Sequence, residues 1–204
     1  MSMPALLSHF GIDAARYVTT GGEIVFGGVH ASAAGTFTHV DHGVVTPVAN
    51  HTFHGGTDEP TDSEATAEWW HDEPEIRRHI DAMQHAFPHF IYLTPEDAGT
   101  PCWVGDLDTG RGQFRVAIVM RRDRGLPFVR LVGGAKLGVN AGRRWTQSPH
   151  LYLNGNLCVA SQGDWNADEH TAATAATWAA HWLAAFTEWR MSRHWPTEGV
   201  RVVA

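Results

Sequence analysis

Residues 148–159 read Ser148-Pro149-His150-Leu151-Tyr152-Leu153-Asn154-Gly155-Asn156-Leu157-Cys158-Val159. The Asn154-Gly155 pair between apolar residues is a tight-turn signal, because both residue types accept the backbone conformations of short hairpins. Cys158, one of only two cysteines in the chain, follows three residues after the glycine. A thiolate is the strongest nucleophile that a side chain offers near neutral pH, so Cys158 is a candidate nucleophile. The alternative is a buried structural thiol.

A long helix is predicted after this stretch. Trp165 follows Cys158 at a distance of seven residues, and Asp168 is a plausible N-cap for a helix that runs to about residue 193. Its apolar stripe at helical spacing consists of Ala175, Trp178, Trp182, Phe186 and Trp189. Aromatic stripes of this kind are typical of a core-facing helix.

The preceding residues predict a helix followed by an antiparallel meander. Apolar residues recur at three- and four-residue steps from residue 75, and Pro88 ends that helix. Strand-like runs cover residues 102–107, 114–120 and 127–132, with short polar turns between them. Consecutive strands joined by short turns favour antiparallel pairing.

The charge distribution predicts a boundary near residue 72. Residues 1–72 carry one base, Arg16, against nine acids, a net charge of -8, whereas residues 73–204 carry fourteen bases and thirteen acids, a net of +1; the two sum to the overall -7. The first part is an acidic, His/Gly-rich extension, in which residues 19–54 suggest a small β-rich unit and residues 55–68 a polar linker or loop. No basic face dominates, which argues against a nucleic-acid partner.

The pattern Asn154-Gly155-Asn156-Leu157-Cys158-Val159 with Trp165 resembles the active-site segment of ubiquitin-conjugating (E2) enzymes. His150 stands where eukaryotic members usually place the asparagine of a His-Pro-Asn motif. The form His-x-Tyr-x-Asn-Gly-x-Leu-Cys, followed by a Trp-rich helix, looks like the prokaryotic E2-like families of bacterial ubiquitin-like conjugation and anti-phage operons. The resemblance covers about residues 73–195.

This resemblance implies an α+β fold of the E2 type. Its parts are an N-terminal helix, an antiparallel β-meander, an active-site flap and a long C-terminal helix, here with the β-rich extension in front. We therefore expect two domains, the extension over residues 1–72 and an E2-like domain over residues 73–204.

The implied activity is acyl transfer through a cysteine thioester. Cys158 would accept a ubiquitin-like protein from an E1-like activating enzyme and pass it to an amine on a protein target; a JAB-type deconjugating protease is a further possible partner. His150 would assist the chemistry or brace the flap, and Asn154 would donate to the oxyanion or only form the turn. Asp164 and Asp168 are weaker candidates for orienting the incoming amine. No metal or other cofactor is needed.

The basic pair Arg77-Arg78 lies on the polar face of the first predicted helix. In E2 enzymes this helix contacts the E1, so the resemblance implies a docking role, and a solvated helix face is the alternative. The sequence contains no signal peptide and no apolar run long enough to span a membrane. Two cysteines form no disulfide framework, so we expect a reducing, cytoplasmic location.

Three other functions are alternatives for this sequence. A catalytically inactive E2-like binding module would keep the fold and usually lose the cysteine. A papain-like thiol hydrolase would place its cysteine at a helix start. A His-rich metal-binding protein would use two His-x-x-His pairs, with Asp41 as an extra ligand. These pairs are His39 with His42 and His51 with His54.

Overall fold

The computed structural model describes residues 15–63, 67–134 and 136–196 of the chain. These residues form an α+β structure with antiparallel sheets and three α-helices, which confirms the expected fold class. The helices are α1 (Glu73–Ala86), α2 (Pro95–Ala98) and α3 (Ala172–Ser192). No helix in these ranges combines the length and apolar character needed to cross a membrane.

The first sheet has five short strands; four of them lie in the β-rich unit predicted over residues 19–54, and the first strand begins before it. It contains β1 (Arg16–Thr19), β2 (Ile24–Phe26), β3 (Val29–Ala31), β4 (Phe37–His39) and β5 (Gly43–Pro47), in the order β2-β1-β5-β4-β3. All neighbouring strands are antiparallel. The Asp108 N–H donates to the Gly21 carbonyl at 2.9 Å, which attaches this sheet to the four-stranded sheet that follows in the chain.

The central meander is a four-stranded antiparallel sheet. Its strands are β6 (Ile91–Leu93), β7 (Cys102–Asp108), β8 (Gln113–Val119) and β9 (Phe128–Leu131), in sequential order. Three of them match the predicted strands. Cys102 is buried in β7, where a thiol packs like a small apolar side chain. A separate hairpin pairs β10 (Gly138–Ala141) with β11 (Arg144–Gln147).

Helix α3 forms the centre of the core. Its aromatic stripe is buried as predicted, and most of the remaining surface is buried too, because the helix is rich in alanine and contacts elements on several sides. The Thr171 and Thr174 side chains cap its first turn reciprocally. The prediction that Asp168 caps this helix is therefore wrong. Its side chain is 84% exposed, and its carboxylate lies 3.3 Å from the Arg124 guanidinium.

Residues on both sides of position 72 share one hydrophobic core. Val18, Phe53 and Trp70 belong to the same buried cluster as Trp178 and Trp182 on α3. The Trp178 indole N–H also donates to the Ala49 carbonyl at 2.9 Å. The division into two domains at residue 72 stays a prediction, and extensive contacts cross that position.

Candidate functional site

The stretch around Cys158 folds as a small hairpin on the edge of the meander. Leu151 and Leu157 form an isolated antiparallel bridge, and Gly155 adopts a φ of +88° in the turn between them, a conformation that favours glycine. The Leu157 N–H donates to the Val129 carbonyl at 2.8 Å, which attaches the hairpin to β9. The Asn154-Gly155 turn predicted from sequence thus directs the chain back towards the sheet.

His150 links the hairpin to the core through its backbone. Its carbonyl oxygen accepts the Cys158 N–H at 3.1 Å and the Trp182 indole N–H at 2.9 Å, and its φ is +58°. The imidazole Nδ1 lies 2.7 Å from the His54 carbonyl, so the tautomer that donates from Nδ1 satisfies this contact. Burial lowers the pKa of His150, which keeps the ring neutral. These contacts correspond to bracing, one of the two roles expected for this residue.

The Cys158 side chain is fully buried, at 0% exposure. This burial corresponds to the alternative of a buried structural thiol, and the role of Cys158 as a nucleophile stays a prediction. The Cys158 thiol donates to the Ala160 carbonyl, with 3.8 Å between Sγ and the oxygen, and the Tyr152 hydroxyl and the His54 backbone N–H lie close enough to act on the pKa of the thiol. Burial raises the pKa of the thiol, while these two donors act in the opposite direction because they stabilise a thiolate.

Tyr152 is the functional candidate that sequence reasoning missed. Burial, together with the neighbouring Cys158 sulfur, raises the pKa of Tyr152, so its hydroxyl remains protonated and can donate. The Gln162 side chain acts on the pKa of this hydroxyl in the opposite direction and lowers it. The sequence signal for this role was the position of Tyr152 two residues after His150 in the quoted motif. An aromatic residue in an apolar run is, however, more simply explained as a core residue.

A segment from the N-terminal part of the chain covers the thiol. We call residues 54–62 the strap. It runs alongside residues 150–154 in the same chain direction, and its Gly56 N–H donates to the Leu151 carbonyl at 2.8 Å. The Leu153 N–H in turn donates to the Thr57 carbonyl at 3.1 Å. The described part of the predicted linker is thus a loop held against the candidate site.

Side chains fix the strap at its C-terminal end. The Glu59 carboxylate accepts the amide groups of Asn154 and Asn156 at 2.8 and 2.6 Å. The Asp62 carboxylate accepts the backbone N–H groups of residues 122 and 123. The buried Arg121 guanidinium donates to the carbonyls of residues 60 and 61. Asn154 therefore forms the turn and binds the strap in this conformation.

The weaker candidates lie at different places. Asp164 accepts the Thr52 N–H at 2.7 Å and the Ser161 N–H at 3.0 Å, so its carboxylate fixes the chain just before the strap. Arg77 pairs with Glu73 on the exposed face of α1. Arg78 donates to the carbonyls of residues 167 and 170 as well as to Glu75, and thereby joins α1 to the loop before α3.

The histidine pairs of the extension are engaged in packing and hydrogen bonds. The His39 and His42 rings lie 4.8 Å apart, and the His51 Nε2 lies 3.0 Å from the His181 Nδ1. Within residues 15–63, 67–134 and 136–196, no group of three or more histidine, cysteine, aspartate or glutamate side chains is arranged to hold a metal ion.

Comparison with known proteins identifies the family. No curated protein and no solved structure matches the chain. The profile of the type II CBASS E2 proteins matches residues 79–202, more than half of the chain. This range contains the whole Cys158 hairpin and α3, and the strap lies before it. The chain therefore belongs to the family of type II CBASS E2 proteins, an E2-like family of CBASS anti-phage defence.

Proposed function

We propose that this protein is an E2-like conjugating enzyme of anti-phage defence. It accepts a ubiquitin-like protein from an E1-like enzyme as a thioester on Cys158 and transfers it to an amine of a target. One observation carries the proposal: in a chain of this family, a hairpin held on β9 places the Cys158 thiol beside the Tyr152 hydroxyl and the His54 backbone N–H. Two donors directed at a sulfur stabilise its anionic form.

The loading step is a thioester exchange. The Cys158 thiol loses its proton to solvent, and Sγ attacks the carbonyl carbon of the E1 thioester. The carbon–sulfur bond to the E1 breaks, and the released thiolate takes up a proton, so the exchange is balanced. In the second step an amine attacks the Cys158 thioester and expels the Cys158 thiolate.

Tyr152 fits the needs of both steps. Its raised pKa keeps the hydroxyl protonated, so it can donate to the attacking or leaving thiolate without losing its own proton. His150 holds the hairpin through its carbonyl and ring. Asn154 becomes available for an oxyanion once its bond to Glu59 is released. The exposed Asp168 is the better placed of the two aspartates to meet an amine.

Reconstitution tests the proposal. Purified protein is incubated with the E1-like enzyme, the ubiquitin-like protein and ATP, and adducts are followed by gel and intact mass. The wild type and Cys102→Ala should form an adduct that reducing agent cleaves, Cys158→Ala should form none, and Cys158→Lys should form a stable amide. A reducible adduct on Cys158→Ala would exclude this cysteine as the nucleophile.

The complete burial of Cys158 favours one other function, a catalytically inactive E2-like binding module. Such a protein would bind the E1-like enzyme or the ubiquitin-like protein without forming any covalent adduct. The same reconstitution separates the two functions, because binding without an adduct on wild-type protein would support the module.

A further inference from the structure

The strap passes over the thiol through a channel in which one position has no room for a side chain. A Cβ atom at Gly55 would overlap the His150 Cα and lie 2.8 Å from the Leu151 nitrogen. Gly55 also has a φ of +149°, which L side chains rarely adopt. Glycine is therefore required at position 55, where the strap crosses His150. The preceding residue, His54, is the one whose backbone N–H lies beside the Cys158 sulfur.

The wall of this channel consists of backbone hydrogen-bonding groups of the hairpin, which can pair with any chain that takes the place of the strap. With the strap removed, the Leu151 carbonyl and the Leu153 N–H would lose their partners, Gly56 and Thr57. Main-chain groups of this kind pair with an added strand in either direction. At the far end, the Asn154 and Asn156 amides would lose the Glu59 carboxylate.

We infer that the strap occupies the channel through which the C-terminal tail of the donor protein must reach Cys158. This inference rests on the proposed function. The donor's last carbonyl carbon must meet Sγ where the His54 N–H now lies, so the tail enters in the direction opposite to the strap. The strap must leave before the enzyme is loaded.

The strap is built to open between fixed ends. The Thr52 N–H is held by Asp164, and residues 60–62 are held through Arg121 and the Asp62 carboxylate. Between these points the strap is held by a few hydrogen bonds, and Glu59 supplies the side-chain anchor to the hairpin. Loss of a few such bonds costs far less than global unfolding, so local opening is accessible.

A chemical donor tests the inference without an E1. Cys102→Ala protein is treated with a hexapeptide thioester of mercaptoethanesulfonate that ends in Gly-Gly, and loading of Cys158 is followed by intact mass. Iodoacetamide labelling of Cys158 reports opening independently. The strap variants are Glu59→Ala, which removes the anchor, and Gly55→Ala, whose Cβ cannot fit. Glu188→Ala, a carboxylate paired with Arg111 outside the strap, is the matched control.

Both strap variants should label and load from the Gly-Gly peptide about tenfold faster than the parent and the control, since each loses interactions that hold the strap closed. Equal loading of the parent and the strap variants would overturn the inference alone. A strap variant that labels faster but does not accept the peptide would contradict the proposed function, and the inference with it.

Discussion

At the scale of single residues, Tyr152 and His54 differ in how they stabilise the thiolate form of Cys158. The His54 donor is a backbone group of the strap, so it leaves when the strap opens. The Tyr152 hydroxyl belongs to the hairpin itself and stays beside Sγ. With the strap open, Tyr152 is thus the one of these two donors that remains to offset the burial that raises the pKa of Cys158.

Replacing Tyr152 with phenylalanine should therefore raise the pKa of Cys158. In Cys102→Ala protein we expect the midpoint of the pH profile for iodoacetamide labelling to move up by about one pH unit, because a hydrogen bond to a charged group contributes about 1.5 kcal/mol. Tyr17→Phe, in β1, is the matched control and should leave the midpoint unchanged. If the two variants share one profile, Tyr152 does not stabilise the thiolate.

At the scale of elements, the two neighbouring arginines of α1 have different surroundings. Arg78 is 31% exposed and donates to two backbone carbonyls of the loop before α3, whereas Arg77 is 58% exposed and pairs with Glu73. The sequence pattern had indicated a single basic pair with one shared role. The fold assigns Arg78 to holding α1 against that loop and leaves Arg77 as the one of the two more open to a partner.

Arg78→Gln should lower the free energy of unfolding by about 1–3 kcal/mol, because two carbonyls lose their charged donor. Arg77→Gln should change it by no more than about 0.5 kcal/mol, the usual contribution of an exposed ion pair along a helix. Denaturant unfolding monitored by tryptophan fluorescence measures both. Equal destabilisation would show that the contacts of Arg78 with the loop contribute little.

At the scale of the whole molecule, buried histidines make the fold sensitive to acid. Burial lowers the pKa of His79 to about 4 and that of His181 to about 3, from the ordinary value of 6.5. The His79 Nδ1 accepts the Ala172 N–H at 3.0 Å, a contact that a protonated nitrogen cannot keep. In mildly acidic solution these two histidines are therefore protonated in the unfolded chain and neutral in the folded chain. The stability due to the neutral rings is complete above pH 6.5 and is lost as the pH falls towards the folded values.

Between pH 7.5 and 5.5 these two histidines should together cost about 3 kcal/mol, a fall in Tm of about 5–10 °C. Thermal unfolding in buffers of constant ionic strength measures this. His79→Gln should reduce the dependence, while His85→Gln, an exposed residue on the same helix, should not. A constant Tm across this range would mean that the rings are not held neutral by burial.

Local sequence patterns predicted the elements that position the site. The helical spacing before Pro88, the three strands of the meander and the aromatic stripe of α3 each reflect a repeat within a short window, and all of them appear in the structure. The Asn154-Gly155 turn is likewise local, since its conformation depends on those two residues. The Asp168 cap failed because Thr171 offered a reciprocal cap nearer to the apolar stripe.

Sequence patterns predicted the α+β class, α1, three strands of the meander, the turn before Cys158 and α3, but not β6, α2 or the β10–β11 hairpin. The burial of Cys158, the approach of Tyr152 and His54 to its sulfur, and the contact of His150 with the strap depend on tertiary packing. These contacts join residues 54–62 to a hairpin about a hundred positions later in the chain. A glycine-rich polar segment has no periodicity to reveal such a partner, because its pairing uses backbone groups that every residue carries.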